Sequence, residues 1–230
     1  MNSSSIVITG ASSGIGLHTA LKASALGKDL ILLSRTNPNI CGSLWVKSDF
    51  RIDSDIQGAC EVIKGLKKPL SMLIHCSGVM RSCSSKSLNL KDCTESFLVN
   101  AIAPLVITSE LTRQLSKGNG KVVAISSIAS MLDIPGETIY SSTKAALDQG
   151  MNSLSADLSR LGITYLKIHP CMIDTPMTQG LTDNQKNYMH QQRSTKFQPS
   201  QEDLAEFILS LEYSTGFITG SDFLFGGLKR

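Results

Sequence analysis

The sequence predicts a single-domain α/β fold with a doubly wound parallel sheet, on three observations. Short apolar, β-branched runs alternate with longer segments of helical period, as strand–helix–strand crossovers require. A glycine-rich turn stands directly after the first of these runs. The 230 residues are 41% hydrophobic and 18% charged, enough apolar side chain for one large core and too little charge for a disordered chain.

The runs Ile6-Val7-Ile8, Leu30-Ile31-Leu32-Leu33, Leu44-Trp45-Val46, Leu73-Ile74, Val122-Val123-Ala124-Ile125 and 163–168 read as buried parallel strands. Between them the spacing predicts helices over 15–27, 53–67, 91–117 and 137–161. A further helix over 201–211 follows Pro199-Ser200. Two segments break the alternation. The residues joining the second run to the third include Asn37-Pro38-Asn39 and Gly42 and are too few for a normal crossover helix, so an abbreviated turn is expected. The polar stretch 177–200 predicts a long irregular segment, either a substrate lid or a plain surface loop. No internal repeat or low-complexity linker divides the chain.

Composition excludes several classes. Lys+Arg 22 against Asp+Glu 19 leaves +3, spread along the chain, so neither nucleic acid nor a membrane surface is an expected partner. No apolar run approaches the roughly 18–20 residues that cross a bilayer. Met1-Asn2-Ser3-Ser4-Ser5 has no basic leader or cleavage pattern, and a cytoplasmic protein is expected. Cys41, Cys60, Cys76, Cys83, Cys93 and Cys171 form no CxxC pair and have no histidine at ligand spacing. They are expected as free thiols, with no disulfide framework and no metal site.

Two motifs carry chemistry. Thr9-Gly10-Ala11-Ser12-Ser13-Gly14-Ile15-Gly16 opens a helix after the first run. Its glycines allow a tight turn and let backbone N–H groups at the positive helix end reach a pyrophosphate. Ser34 ends the second run, where an acidic side chain would bind the adenosine ribose hydroxyls and repel a 2′-phosphate. Serine there, with the guanidinium of Arg35 beside it, favours NADP(H). The stronger motif is Ser127 followed by Tyr140-Ser141-Ser142-Thr143-Lys144. Tyr140 and Lys144, four apart, share a helix face. A phenol of pKa about 10 is a poor acid or base at neutral pH, and a nearby ammonium is expected to lower it. Ser127, at a strand end, can hold a substrate carbonyl oxygen.

TGASSGIG and the ordered Ser127, Tyr140 and Lys144 resemble the short-chain dehydrogenase/reductase family, from near residue 5 to near residue 227, with 3-oxoacyl carrier-protein reductases among the similar members. The resemblance implies a Rossmann-type sheet and an NADPH-dependent oxidoreductase that reduces a carbonyl to an alcohol, or the reverse, with Tyr140 as proton donor. It implies cofactor contacts at Gly10, Ser12, Ser13, Gly14, Ile15 and Gly16, at Ser34, Arg35 and Gly78, and at Asp49 through the adenine amino group. Further contacts are implied at Asn100, Tyr140, Lys144 and Pro170, with Ile173 and Thr175 clasping the nicotinamide carboxamide. The resemblance also assigns Asn100 a water that relays protons toward Lys144, which completes the catalytic set.

The chain departs from the family at two places. Cys171 replaces the usual glycine after Pro170, and His75-Cys76-Ser77-Gly78 replaces Asn-Asn-Ala-Gly. Cys171 reads as packing and His75 as a hydrogen-bonded core histidine. A β-ketoacyl thioester, carrier-protein-bound, is the first small-molecule substrate expected, and a biosynthetic ketone the second. A catalytically silent NADP-binding sensor is the alternative, against which stands the complete set Asn100, Ser127, Tyr140 and Lys144. Segments 91–117 and 137–161 exceed what one core face requires, and the resemblance implies a homotetramer or homodimer through them.

Overall fold

In the computed structural model, which describes residues 4–214 and 218–229, one parallel sheet holds seven strands. Met1-Asn2-Ser3, the start of the stretch read for a leader, lie outside the described residues. The strands are β1 (Ser5–Thr9), β2 (Asp29–Ser34), β3 (Leu44–Lys47), β4 (Leu70–His75), β5 (Lys121–Ile125), β6 (Thr164–Pro170) and β7 (Ser221–Phe225). Their order is β3-β2-β1-β4-β5-β6-β7. The winding reverses between β1 and β4, and there the crossovers leave a crevice at the carboxyl ends.

Alternation along β1 divides the core. Ile6 and Ile8 face α1 (Gly14–Ala25) and α8 (Gln201–Ser210), meeting Leu30, Leu32, Met72, Ile74, Leu204 and Ile208. Val7 faces the other way, toward Ile56 of α2 (Asp53–Gly65) and Leu147 and Met151 of α6 (Thr138–Arg160). Each fully buried Leu or Ile in these layers contributes about 1.5–3 kcal/mol. The β2–β3 connection is the abbreviated turn expected. Asn39 adopts φ +56, and its N–H donates to Asn37 Oδ1 at 2.9 Å, a side-chain turn in place of a helix.

Three expectations need correction. The helix expected over 91–117 is broken into α3 (Leu90–Phe97), a π turn (Leu98–Ile102), α4 (Ala103–Glu110) and α5 (Thr112–Lys117). Pro104 is the cause: it has no N–H to return to the Asn100 carbonyl, so the backbone widens there. Secondly, 177–200 is irregular only in part, over 193–200. A 3-10 turn (Pro176–Gly180) leads to α7 (Asp183–Gln192), started by a capping box in which Thr182 Oγ1 accepts from the Gln185 N–H. Thirdly, β7 was not among the six runs, because as the half-exposed edge strand it has no continuous apolar signature. Among the described residues, no helix is long and apolar enough to cross a membrane.

Candidate active site

The glycine turn builds a cradle at the crevice. Gly10 adopts φ +68, and a Cβ there would lie 2.8 Å from the Ser77 backbone. A Cβ on Gly16 would overlap the Gly10 carbonyl oxygen, so α1 closes onto the turn only through hydrogen at both positions. The Gly10 N–H donates to Leu33 O at 2.8 Å, and Thr9 Oγ1 donates to Ser77 Oγ at 3.1 Å, binding the ends of β1, β2 and β4 into one rim. Gly14 adopts φ +54, and a Cβ there would make ordinary contacts, 3.8 Å from Gln201 Oε1 and 3.9 Å from Thr175 Cβ, so its glycine answers the backbone conformation and not crowding. Ser12, Ser13, Gly14 and Ile15 line the cleft at the α1 N-terminus, whose first N–H groups have no intrahelical partner.

The cleft continues past Ser34, Arg35 and Asp49. Ser34 is buried; its Oγ donates to Thr36 O at 2.8 Å and accepts from Trp45 Nε1 at 3.2 Å. Arg35 stands exposed on the cleft wall. Asp49 reaches the cleft already gripped by Arg51, whose Nε donates to Oδ1 at 2.9 Å and whose Nη2 reaches Oδ2. That guanidinium holds the Asp49 carboxyl below the usual carboxylate range, with Arg35 adding to the effect. Arg51 is a cleft residue that sequence reasoning missed; Asp49-Phe50-Arg51 was its only signal.

A second cavity shares Ile15, Cys76, Gly78, Thr175 and Met177 with the cleft, so the two are continuous. It gathers Ser127, Tyr140, Lys144, Pro170 and Ile173. Ser127 follows β5 and caps a 3-10 turn (Ile128–Ser130), its Oγ accepting from the Ala129 N–H at 3.1 Å. The hydroxyl proton is left to donate outward. Tyr140 and Lys144 lie buried in the first two turns of α6. Lys144 Nζ donates to Ile125 O at 2.8 Å and sits 5.8 Å from the centre of the Tyr140 ring.

Burial sets the protonation of this pair. It pushes the Tyr140 phenol up to about 12, against the Ser127 hydroxyl, which pulls it down. It pushes Lys144 down to about 8, against the Asp148 carboxylate, which pulls it up. The phenol therefore does not stand below its ordinary value as expected: loss of water outweighs the groups that favour the phenolate.

Asn100 lies in the π turn, 0% exposed. Its Oδ1 accepts from the Val79 N–H at 2.8 Å, and its Nδ2 donates to Val79 O at 2.8 Å and Thr143 Oγ1 at 2.9 Å. Both amide protons are committed, so the side chain clamps the loop after β4 to α6. The group that Pro104 deprives of a donor is the Asn100 main-chain carbonyl.

His75 is a core histidine: Nε2 pairs with Thr108 Oγ1 at 2.9 Å, and burial pushes its pKa down to about 3. Cys171 is buried, and a Cβ on Gly226 would run into its sulfur; burial raises its thiol pKa. All six cysteines are free. Thr175 begins the turn after β6, its Oγ1 accepting from the Thr178 N–H at 3.3 Å. Sequence reasoning also missed a polar layer beneath Ser127. His169 Nε2 pairs with Asp222 Oδ1 at 2.9 Å, its Nδ1 lies 3.4 Å from Ser127 O, and buried Lys167 reaches the same Asp222 oxygen at 2.8 Å.

The cradle and the serine–tyrosine–lysine cluster stand at the carboxyl edge of a doubly wound sheet, and the short chain dehydrogenase family model matches residues 4–186. The chain belongs to that family and is an oxidoreductase of it. The 3-oxoacyl acyl-carrier-protein reductase FabG of Aquifex aeolicus is 26% identical over 228 residues, covering 93% of this chain and 92% of its own. The structure of 4-hydroxyisoleucine dehydrogenase complexed with NADH matches at TM-score 0.87 and 22% identity, covering 97% of this chain and 98% of its own. A short chain dehydrogenase from Burkholderia cenocepacia J2315 in complex with NADP matches at 0.86 and 22%, covering 97% of both chains. The glycine cradle, the open α1 N-terminus and the continuous cleft fit a nicotinamide dinucleotide.

Proposed function

We propose that the protein reduces a carbonyl to an alcohol with NADPH, or runs the reverse oxidation. The observation carrying this reading is the convergence of Ser127, Tyr140 and Lys144 on one cavity continuous with the glycine cradle. When bound, the dinucleotide supplies the hydride. Ser127 donates a hydrogen bond to the carbonyl oxygen and keeps its proton, its own oxygen accepting from the Ala129 N–H. Tyr140, with its pKa pushed up to about 12, is a neutral phenol at neutral pH and holds the proton that reduction consumes. Lys144, protonated below about 8, favours loss of that proton as charge develops on the phenol. The Asn100 carbonyl, rather than its amide, offers the acceptor for a relay water. Pro170, Ile173 and Thr175 line the nicotinamide end.

Arg35 supports the choice of NADPH. Ser34 is turned inward to Thr36 and Trp45, and Arg51 is neutralised by Asp49, which leaves Arg35 to meet a 2′-phosphate. Asp49 stays the candidate for the adenine amino group. With a ketone panel, NADPH should be used at least about tenfold more efficiently than NADH, on the order of 1.4 kcal/mol. Arg35→Ala should bring the two toward parity. Equal efficiency in the wild type, or a variant that keeps its preference, contradicts the assignment. A β-ketoacyl thioester, as named for the Aquifex aeolicus relative, and a free ketone are the two substrate classes this chemistry accommodates.

Assembly is part of the same reading. Ile102, which ends the π turn before α4, and Leu161, which follows α6, are 43% and 47% exposed. We expect a homodimer or homotetramer through α3–α5 and α6. Light scattering at low protein concentration checks it; the mass of a single chain contradicts it.

A further inference from the structure

Four methionines from three segments converge on the cavity that holds Tyr140: Met80 from the loop after β4, Met172 and Met177 from the segment after β6, and Met189 from α7. Met172 and Met189 pack with Tyr140 and Leu181 in one buried cluster. Among the described residues, Lys144 is the one charged side chain lining this cavity, and its ammonium donates to the Ile125 carbonyl.

Unspent polar groups are few. The Thr178 hydroxyl donates to the carbonyls of Ile173 and Thr175, and Ser127 and Tyr140 are given to the reacting oxygen. Ser126 Oγ is the remaining side-chain hydroxyl without a partner. The roof is fastened. Gln185 Nε2 of α7 donates to Pro135 O and Glu137 Oε1, both at 3.1 Å, and Ser82 Oγ donates to the same carboxylate. Glu137, 1% exposed, is thereby turned into this latch and does not line the cavity.

A carboxylate or phosphate on the substrate body would be buried against thioethers, with a single cation in reach, the Lys144 ammonium, held at the Ile125 carbonyl beside the reacting oxygen. A polyol would leave hydroxyls without partners. Methionine walls, flexible and polarizable, instead fit an apolar body of irregular shape. Resting on the carbonyl-reductase reading, we infer that this pocket selects a ketone whose body is uncharged and apolar, with Met172 and Met189 as specificity-determining residues.

The test compares 2-octanone with 7-oxooctanoate, which differ only in a terminal methyl or carboxylate. With NADPH, the neutral ketone should be used about a hundredfold or more efficiently than the keto acid. Met189→Lys should narrow that ratio about tenfold or more by supplying a counter-ion, and Met189→Leu should keep it. Calorimetric titration of both ketones into the Tyr140→Phe variant loaded with NADPH should give the same order without turnover. A failure of the chemistry is thereby told apart from a failure of the selectivity. Comparable binding and turnover of the two ketones by the wild-type pocket would overturn the inference, and the wild-type ratio stands whether or not the lysine variant folds.

Discussion

Tyr140→Phe is expected to lower ketone reduction by about 10²–10⁴-fold while leaving NADPH affinity nearly unchanged. The substitution removes one oxygen and keeps the ring, whose packing against Met172, Leu181 and Met189 needs no hydroxyl. What disappears is the proton held on a phenol that burial keeps neutral. The loss should therefore fall on kcat, with KM for the ketone little altered, because the proton is given up only in the transition state. Steady-state kinetics beside a cofactor titration separate the two quantities. Near-normal turnover by the phenylalanine variant would assign the proton to another group.

Lys144→Ala should damage rate and cofactor binding together, with kcat lower by about 10²-fold or more. The ammonium lies within the same cavity as Tyr140 and is anchored to the Ile125 carbonyl at the end of β5. Its removal strands a carbonyl acceptor and withdraws the positive charge beside the phenol. Burial brings Lys144 down to about 8, so its charge is present below that value and lost above it. Wild-type reduction should therefore decline as pH rises through about 8, and that limb should vanish from the residual activity of the alanine variant. A pH profile flat across this range would contradict the role given to the ammonium.

How far the molecule can be read from its sequence varies with the kind of interaction involved. Central strands such as β1 and β4 announce themselves because both faces are buried, which makes them continuous apolar runs. The cradle is equally legible, since Gly10 and Gly16 answer a steric demand within one turn. The Tyr140–Lys144 pair follows from helical spacing alone. Groups assembled from distant parts of the chain were not visible. The four methionines meet only after β4, β6 and α7 are in place. The direction of the Tyr140 shift depends on burial, which the elements packed around α6 impose and the α6 sequence alone does not show.

Local signals were also passed over. Pro104 marks the break in the 91–117 segment, and Thr182 with Gln185 marks the start of α7 in a stretch too polar to show periodicity. β7 carries Asp222, whose partners Lys167 and His169 are on β6. That acidic residue interrupts the apolar run by which a strand is recognised. In α7 and β7 a polar side chain with a tertiary partner, Gln185 and Asp222, concealed an element that an apolar pattern would have disclosed.

Transfer of deuterium from NADPH carrying deuterium in place of both hydrogens on the reactive nicotinamide carbon, followed by mass spectrometry of the alcohol formed from 2-octanone, tests the proposed chemistry without an intermediary. Direct hydride transfer in the cavity of Ser127, Tyr140 and Lys144 requires one deuterium on the carbinol carbon for each NADPH consumed. Alcohol formed without the label, or labelled NADPH bound and never consumed across the ketone panel, would contradict it.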